Sequence, residues 1–241
     1  MWHTALSNNW RESRVFMKFI EADIPFPYAD HAFGTKEGSH DNVEETIRDY
    51  TELLGPIAHM RQVHGDRIVY AGEPRVYPEA DALVTDRPDL WLAVKTADCV
   101  PVLLSCPQAV AAVHCGWRGL QQDILKKTID VLQNDLGVRT ADMHMLIGPC
   151  IRQHNYEVED EFRKHFPEKF FRASDKEGHS RLDIAGVAAW QATRAGLIDL
   201  NVHDTRHCTF DKVDTFNSHR RTKESGNEDY NVQLSLIKRQ S

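Results

Sequence analysis

The sequence predicts an α/β protein of the α+β type, a single domain over residues 1–241 in which mixed β-sheets are layered with helices. Three observations predict it. Short apolar runs of strand length outnumber the amphipathic helical stretches, and the two kinds do not alternate strictly as a doubly wound fold requires. At 241 residues and 41% hydrophobic content the chain is long enough to bury a large core. No internal repeat, low-complexity tract or linker divides it, although residues 1–32 read as a less regular N-terminal extension.

In chain order, residues 1–32 show no clean period, and Pro25, Pro27 and then Gly34 punctuate an irregular entry. A helix is expected over 42–54, with Asp41 as its cap and Glu44 as the partner in a capping box. Val43, Ile47, Tyr50 and Leu54 share one face, Arg48 points elsewhere, and Gly55-Pro56 ends the helix. The turn at 62–65 leads into a strand at 67–71, and 72–80 is loop. Strands follow at 81–85 and 90–96, and then at 100–104 and 109–113 around the turn Cys106-Pro107-Gln108. Leu120, Ile124, Thr128, Leu132 and Leu136 place a helix over 120–136, stopped by Gly137. A strand at 142–147 runs into Gly148-Pro149-Cys150. Helices are expected at 158–165 and 184–195, and strands at 197–202 and 232–237.

Composition narrows the function classes. The net charge is −7, from 36 acidic and 29 basic residues that are interspersed, so no basic face for nucleic acid is advertised. Nothing approaches the apolar length of a membrane span, and the N-terminus lacks the apolar core of a signal peptide. Five cysteines, an odd number without tight spacing, fit reduced thiols better than a disulfide framework. A cytoplasmic protein is therefore expected. Thirteen histidines raise the prior for metal without locating it.

The chemistry gathers in residues 96–119, TADCVPVLLSCPQAVAAVHCGWRG. Cys99 precedes one apolar run and His114 follows the next. Pairing the two runs antiparallel brings thiol and imidazole to one sheet edge. They read as a thiolate–imidazolium pair for covalent catalysis, as two metal ligands, or as packing residues. His64 lies in a glycine-adjacent turn where neither packing nor propensity calls for histidine, and it completes a His, Cys, His set. Three widely separated ligands suit an open zinc site whose fourth position holds water of pKa about 7. Gly116-Trp117-Arg118-Gly119 reads either as an anion-binding helix start, with Arg118 adding a bidentate contact, or as a tight strand–helix turn. Ser218-His219-Arg220-Arg221 is a second basic cluster near a loop, with a solvated charge run as the plainer reading. Strand alternation turns Asp98 away from the metal, where it can still serve as a supporting carboxylate.

The motifs RQVHG at 61–65, EADALVT at 79–85, TADCVPVLL at 96–104, AVHCGWRG at 112–119, IGPCI at 147–151, YEV at 156–158 and FNSHRR at 216–221 occur in this order. Over residues 33–237 the chain resembles the YfiH/laccase-domain family, once labelled polyphenol oxidases and now regarded as multifunctional purine nucleoside enzymes. The resemblance implies a YfiH-like and cytotoxic-necrotising-factor-like fold, zinc on His64, Cys99 and His114, and a nucleoside contact from Arg48. It implies phosphorolysis of adenosine, inosine, guanosine and methylthioadenosine, and deamination of adenosine. Phosphate would fall to Arg118 or Arg220. Purine nucleosides and phosphate are the expected partners, with no nucleic acid or membrane, in a monomer or homodimer.

Three positions depart from the family pattern. Cys115 stands where alanine is usual, the 34–41 loop is shorter, and the Gly-Arg expected after the SYRR-like motif is replaced by Gly226-Asn227 or Tyr230-Asn231. Other readings remain open at this point. They are a metal-free Cys–His hydrolase or deamidase, an editing hydrolase of a nucleotide-linked cell-wall precursor, and a binding module in which Cys115, Cys150 or His207 closes the zinc. Copper oxidation of phenols ranks low, because a multicopper enzyme needs more clustered histidines than three motif residues supply.

Overall fold

A computed structural model describes residues 19, 20, 22, 24, 26–227 and 230–241. Among these the strands are numbered β1 to β15 along the chain and form three sheets. The first has the order β1 (Phe19–Ile20), β2 (Ala29–Gly34), β15 (Gln233–Arg239), β7 (Trp91–Thr96), β3 (Ile57–Met60) and β5 (Val76–Tyr77). The second has the order β14 (Val202–Asp204), β10 (His144–Ile147), β8 (Val100–Ser105), β9 (Val110–Cys115), β6 (Ala82–Thr85) and β4 (Ile68–Tyr70). A small third sheet holds β11 (Glu157–Glu159), β13 (His179–Leu182) and β12 (Phe171–Ala173). Parallel and antiparallel pairs occur in each large sheet, so the expected mixed-sheet α+β class holds.

The layers follow from strand alternation. Leu83, Leu103, Ala112 and Leu146 of the second sheet meet Phe33, Leu92, Val94 and Ile237 of the first. The other face of the second sheet, with Val102, Leu104, Ala111, Val113 and Met145, packs on helices. These are α2 (Trp117–Gln121), α3 (Ile124–Asn134) and α4 (Ile184–Arg194), while α1 (Val43–Leu54) covers the outer face of the first sheet through Ile47 and Tyr50. Trp91, buried beneath α1, donates its indole N–H to the Leu54 carbonyl at 3.0 Å, which satisfies its polar edge. A short helix, α5 (His219–Glu224), precedes β15.

Several elements differ from the sequence expectation. Asn42, not Asp41, caps α1 by accepting from the Glu44 backbone N–H at 2.9 Å; Asp41 instead accepts from Asn231. The helix expected over 120–136 is two helices, because Asp123 adopts φ +58 and re-aims the chain. That break still leaves Leu120, Ile124, Thr128 and Leu132 all buried against the sheet. Residues 158–165 begin as strand β11, whose half-buried, buried, exposed pattern has a period of two, and continue as a 3-10 helix over Asp160–Lys164. Within 197–202 a 3-10 helix, Asp199–Asn201, precedes β14, which starts only at Val202 and pairs parallel with β10. Strand β2, across the end of the entry read as irregular, is an interior strand between β1 and β15.

Candidate metal centre

The expected pairing of the two apolar runs is present: β8 and β9 are antiparallel, with Val100 opposite Cys115 and Pro101 opposite His114. Continuing the register puts Cys99 beside Gly116. Alternation along β9 sends Ala112 and His114 toward the space between the large sheets and Cys115 toward the helices. Cys99 and His114 therefore meet at the rim where the two sheets part. The ligand atoms of His64, Cys99 and His114 all lie within 4.8 Å of one another. The rings of His64 and His114 meet edge to face, with centroids 4.8 Å apart.

A fourth residue holds this set in place. Asp81 precedes β6, which pairs with β9, so it lies opposite His114 across the ladder; the His114 N–H donates to the Asp81 carbonyl at 2.7 Å. The two side chains share a face, and His114 Nδ1 hydrogen-bonds Asp81 Oδ1 at 2.7 Å. The same carboxylate accepts backbone N–H bonds from Val63 at 3.2 Å, His64 at 3.0 Å and Gly65 at 2.7 Å. One buried carboxylate thus fixes the imidazole of one member of the set and the turn that carries another. His64 sits at φ +59, a conformation these bonds hold in place. The Asp81 bond to Nδ1 leaves His114 Nε2 to face the other two ligands. The sequence offered Asp98 as a supporting carboxylate and did not name Asp81, which supports His114. Its position, one residue before a strand that pairs with the His114 strand, was the available signal.

Charges on the three groups are coupled. Burial pushes the Cys99 thiol up, but the neighbouring imidazoles of His114 and His64 outweigh it and bring the thiol down to about 6. Burial also disfavours charge on His114, and the Cys99 sulfur with Asp81 overrides it and raises the imidazole to about 9. Burial opposes ionisation of Asp81 as well, yet bonds from His114, Gly65 and Val63 hold its carboxyl below the usual range. The two directions agree: the lowered thiol and the raised imidazole each favour the charged form of the other.

The glycines of Gly116-Trp117-Arg118-Gly119 are explained by close approach. A Cβ on Gly116 would lie 3.2 Å from the His64 ring, 3.6 Å from Cys99 Sγ and 3.6 Å from the His114 ring. A Cβ on Gly119 would lie 2.7 Å from the Gly65 carbonyl oxygen. The chain turns here against the ligand set and against the turn that carries His64, and the Arg118 guanidinium stacks over Trp117 at 4.5 Å.

Asp98, at φ +88, ties a second loop to the Cys99 turn. It accepts from Thr209 Oγ1 at 2.5 Å, Ser218 Oγ at 2.9 Å and the Arg220 N–H at 2.7 Å. The basic cluster divides its labour. Ser218 caps α5, His219 packs on Tyr230, and Arg221 donates to the carbonyls of Thr209, Phe210 and Phe216. Arg220 turns back over the Tyr156 ring at 5.7 Å and donates to the Glu157 carbonyl. Burial and the nearby Cys99 raise the Tyr156 phenol, with Arg220 and Arg118 opposing, so these residues share one neighbourhood with the ligand set. The sequence placed Tyr156 in the YEV motif and Tyr230 at a departure from the family pattern, without a site role for either. Arg48 stands apart on α1, exposed and 3.8 Å from Asp49, and among the described residues no contact joins it to the cluster. Cys115, Cys150 and His207 are likewise outside the ligand group, and burial holds the Cys115 thiol protonated.

Residues 25–235 match the family model described as multi-copper polyphenol oxidoreductase laccase. A protein of Rickettsia conorii named purine nucleoside phosphorylase is 37% identical over 192 residues, covering 74% of this chain and 78% of the relative. A crystal structure of a Neisseria meningitidis protein superposes with a TM-score of 0.80 at 29% identity, covering 92% of this chain and 99% of the other. The YfiH protein of Bacillus licheniformis gives a TM-score of 0.81 at 25% identity, again covering 92% and 99%. In these likenesses the motif resemblance and the fold agree. No helix among the described residues is long and apolar enough to cross a membrane.

Proposed function

The chain belongs to the multi-copper polyphenol oxidoreductase laccase family, and from that premise we propose that it is a purine nucleoside phosphorylase whose metal is zinc, held by His64, Cys99 and His114. The observation that carries the metal is the convergence of these three donors with Asp81 behind His114. The donor set fits: one thiolate and two imidazoles suit zinc, and Gly116 leaves uncovered the space a Cβ would fill. Bound there, zinc supplies a Lewis acid that makes a coordinated water acidic near neutral pH. The described residues do not gather the further histidines that a multicopper cluster needs, so copper is the weaker choice.

The chain's own residues supply positioning and charge. Asp81 keeps the His114 proton on Nδ1 and the opposite nitrogen free. Asp98 holds the backbone of Arg220 so that its guanidinium stays over Tyr156. Arg220 and Arg118 offer positive charge to phosphate, which forms a bond to ribose C1′ as the bond to the purine nitrogen breaks and that nitrogen takes a proton. The Tyr156 phenol stays protonated and can donate a hydrogen bond to sugar or base. Arg48 enters this set by resemblance alone. The same proposal includes deamination of adenosine, in which water adds at C6 and ammonia leaves.

The test is metal analysis of purified protein alongside an adenosine assay that separates adenine from inosine, for wild type and His64→Ala. Loss of stoichiometric zinc together with both products supports the reading, and full activity in the variant sinks it. The lowered Cys99 thiol favours a second reading, a metal-free Cys–His hydrolase. Under that reading alkylation of Cys99 abolishes activity while chelators leave it intact.

A further inference from the structure

We propose that the protein carries a second metal site, for a zinc-like divalent cation, formed by His154, Cys208 and Asp211. This site goes beyond the function proposed above and does not rest on it. The ligand atoms of these three residues also lie within 4.8 Å of one another, and none is shared with the first set. His154 Nε2 hydrogen-bonds Asp211 Oδ2 at 2.7 Å, and the Cys208 sulfur lies within 4.8 Å of the ligand atoms of both. Asn155 Nδ2 donates to Cys208 Sγ at 3.4 Å and to Asp211 Oδ1 at 2.6 Å, so a single amide orients the sulfur and the carboxylate together.

The frame beneath these side chains is ordered. Cys150 and Cys208 form a parallel bridge, in which the Cys150 N–H donates to the His207 carbonyl at 3.2 Å and the Thr209 N–H to the Cys150 carbonyl at 3.1 Å. Arg152 donates to the His207 carbonyl, pairs twice with Asp204, and its own carbonyl closes the turn that carries His154 and Asn155. Arg181 fixes the His154 carbonyl at 2.9 Å. Two turns, one bearing His154 and the other Cys208 and Asp211, are therefore held side by side by backbone bonds.

The arrangement argues for a ligand set over a nucleophile. In a thiol catalyst the imidazole faces the sulfur and the carboxylate stands behind the imidazole. Here the carboxylate faces both imidazole and sulfur, so that three donors converge on one point. On binding, the metal takes the place of the Cys208 thiol proton, which leaves to solvent, and of the proton that His154 Nε2 shares with Asp211, so that the ring binds through Nε2 with its N–H on Nδ1. A donor set of sulfur, nitrogen and oxygen suits zinc, and the exposure of His154 and Asp211, 58% and 49%, leaves water free to complete the shell.

The test loads the full-length protein with zinc, removes weakly held metal by dialysis, and counts zinc per chain in wild type, His154→Ala, His64→Ala and the double variant. His154 is exposed, so its removal leaves the fold intact. The expected result is that His154→Ala carries one zinc fewer than its parent in both backgrounds, with adenosine phosphorolysis unchanged. Cobalt substitution in the His64→Ala background gives a second readout, a thiolate-to-cobalt charge-transfer band that disappears in Asp211→Asn. Equal zinc in parent and His154→Ala overturns the proposal, and so does the absence of that band before Asp211 is changed. Failure of the first site would instead appear as His64→Ala carrying as much zinc as wild type, which leaves the His154 comparison readable.

Discussion

Two clusters of the same three elements, imidazole, thiol and carboxylate, sit in this molecule and are built in opposite ways. At the first, Asp81 is fully buried behind His114 and is consumed by four hydrogen bonds, so it shapes the site without facing it. At the second, Asp211 is half-exposed and stands directly between His154 and Cys208. The difference teaches that the place of the carboxylate decides its job. Behind an imidazole it orients and charges its neighbour; beside a thiol it becomes a ligand in waiting. The first site belongs to paired strands of the large sheet, whereas the second belongs to turns that a single backbone bridge holds together.

The sharpest way to break this comparison is Asp81→Ala. It strands three backbone N–H groups and frees the His114 ring, at a cost of roughly 3 kcal/mol of stability and about a 10–100-fold loss of metal affinity. Thermal unfolding and zinc titration measure the two effects, and a wild-type midpoint would refute the role given to Asp81. Next in size is Gly119→Ala, whose methyl would press on the Gly65 carbonyl. It should cost about 1–3 kcal/mol through overpacking and weaken metal at the first site alone, as read by denaturant midpoints and zinc counts.

Acid separates the clusters further in chelator-treated protein. Both carboxyls titrate below their ordinary value of 3.8, burial opposing and hydrogen bonds prevailing in each case. Each therefore contributes stability that is complete above 3.8 and is lost as pH falls through the lower folded-state value. Asp81→Asn should remove a clear part of that acid dependence. Asp211→Asn should change it little, since solvent screens a half-exposed group. Urea midpoints between neutral pH and the acid limb check both. The smallest effect expected is His154→Ala on stability, within about 0.5 kcal/mol, measured by the same unfolding curves.

Much of the first site was legible because it follows local rules. Two apolar runs joined by a short turn give an antiparallel pair, and a pair places the start of one strand beside the end of the other. Cys99 and His114 needed nothing more, and His64 stood out because its turn gives a histidine no packing reason to be there. Asp81 was harder to see, since its task depends on the register between β6 and β9, which is a long-range fact. The second cluster was invisible for the same reason. Cys208 and His154 lie 54 positions apart and meet through the bridge at Cys150 and the bonds of Arg152 and Asn155. Among the fold elements, the short strands Ile57–Met60 and Ala29–Gly34 carried no distinguishing run, and the break at Asp123 left the helical hydrophobic period intact on both sides.

The bare backbone of Gly116 has a stereochemical consequence. One flank of the His64, Cys99 and His114 trio is lined by main chain that carries no side group, and a methyl there would touch all three side chains. On that side the three side chains meet backbone alone. The distances among the three are thus kept by an atom the sequence leaves out, and enlarging Gly116 by one carbon would press first on the His64 ring, at 3.2 Å.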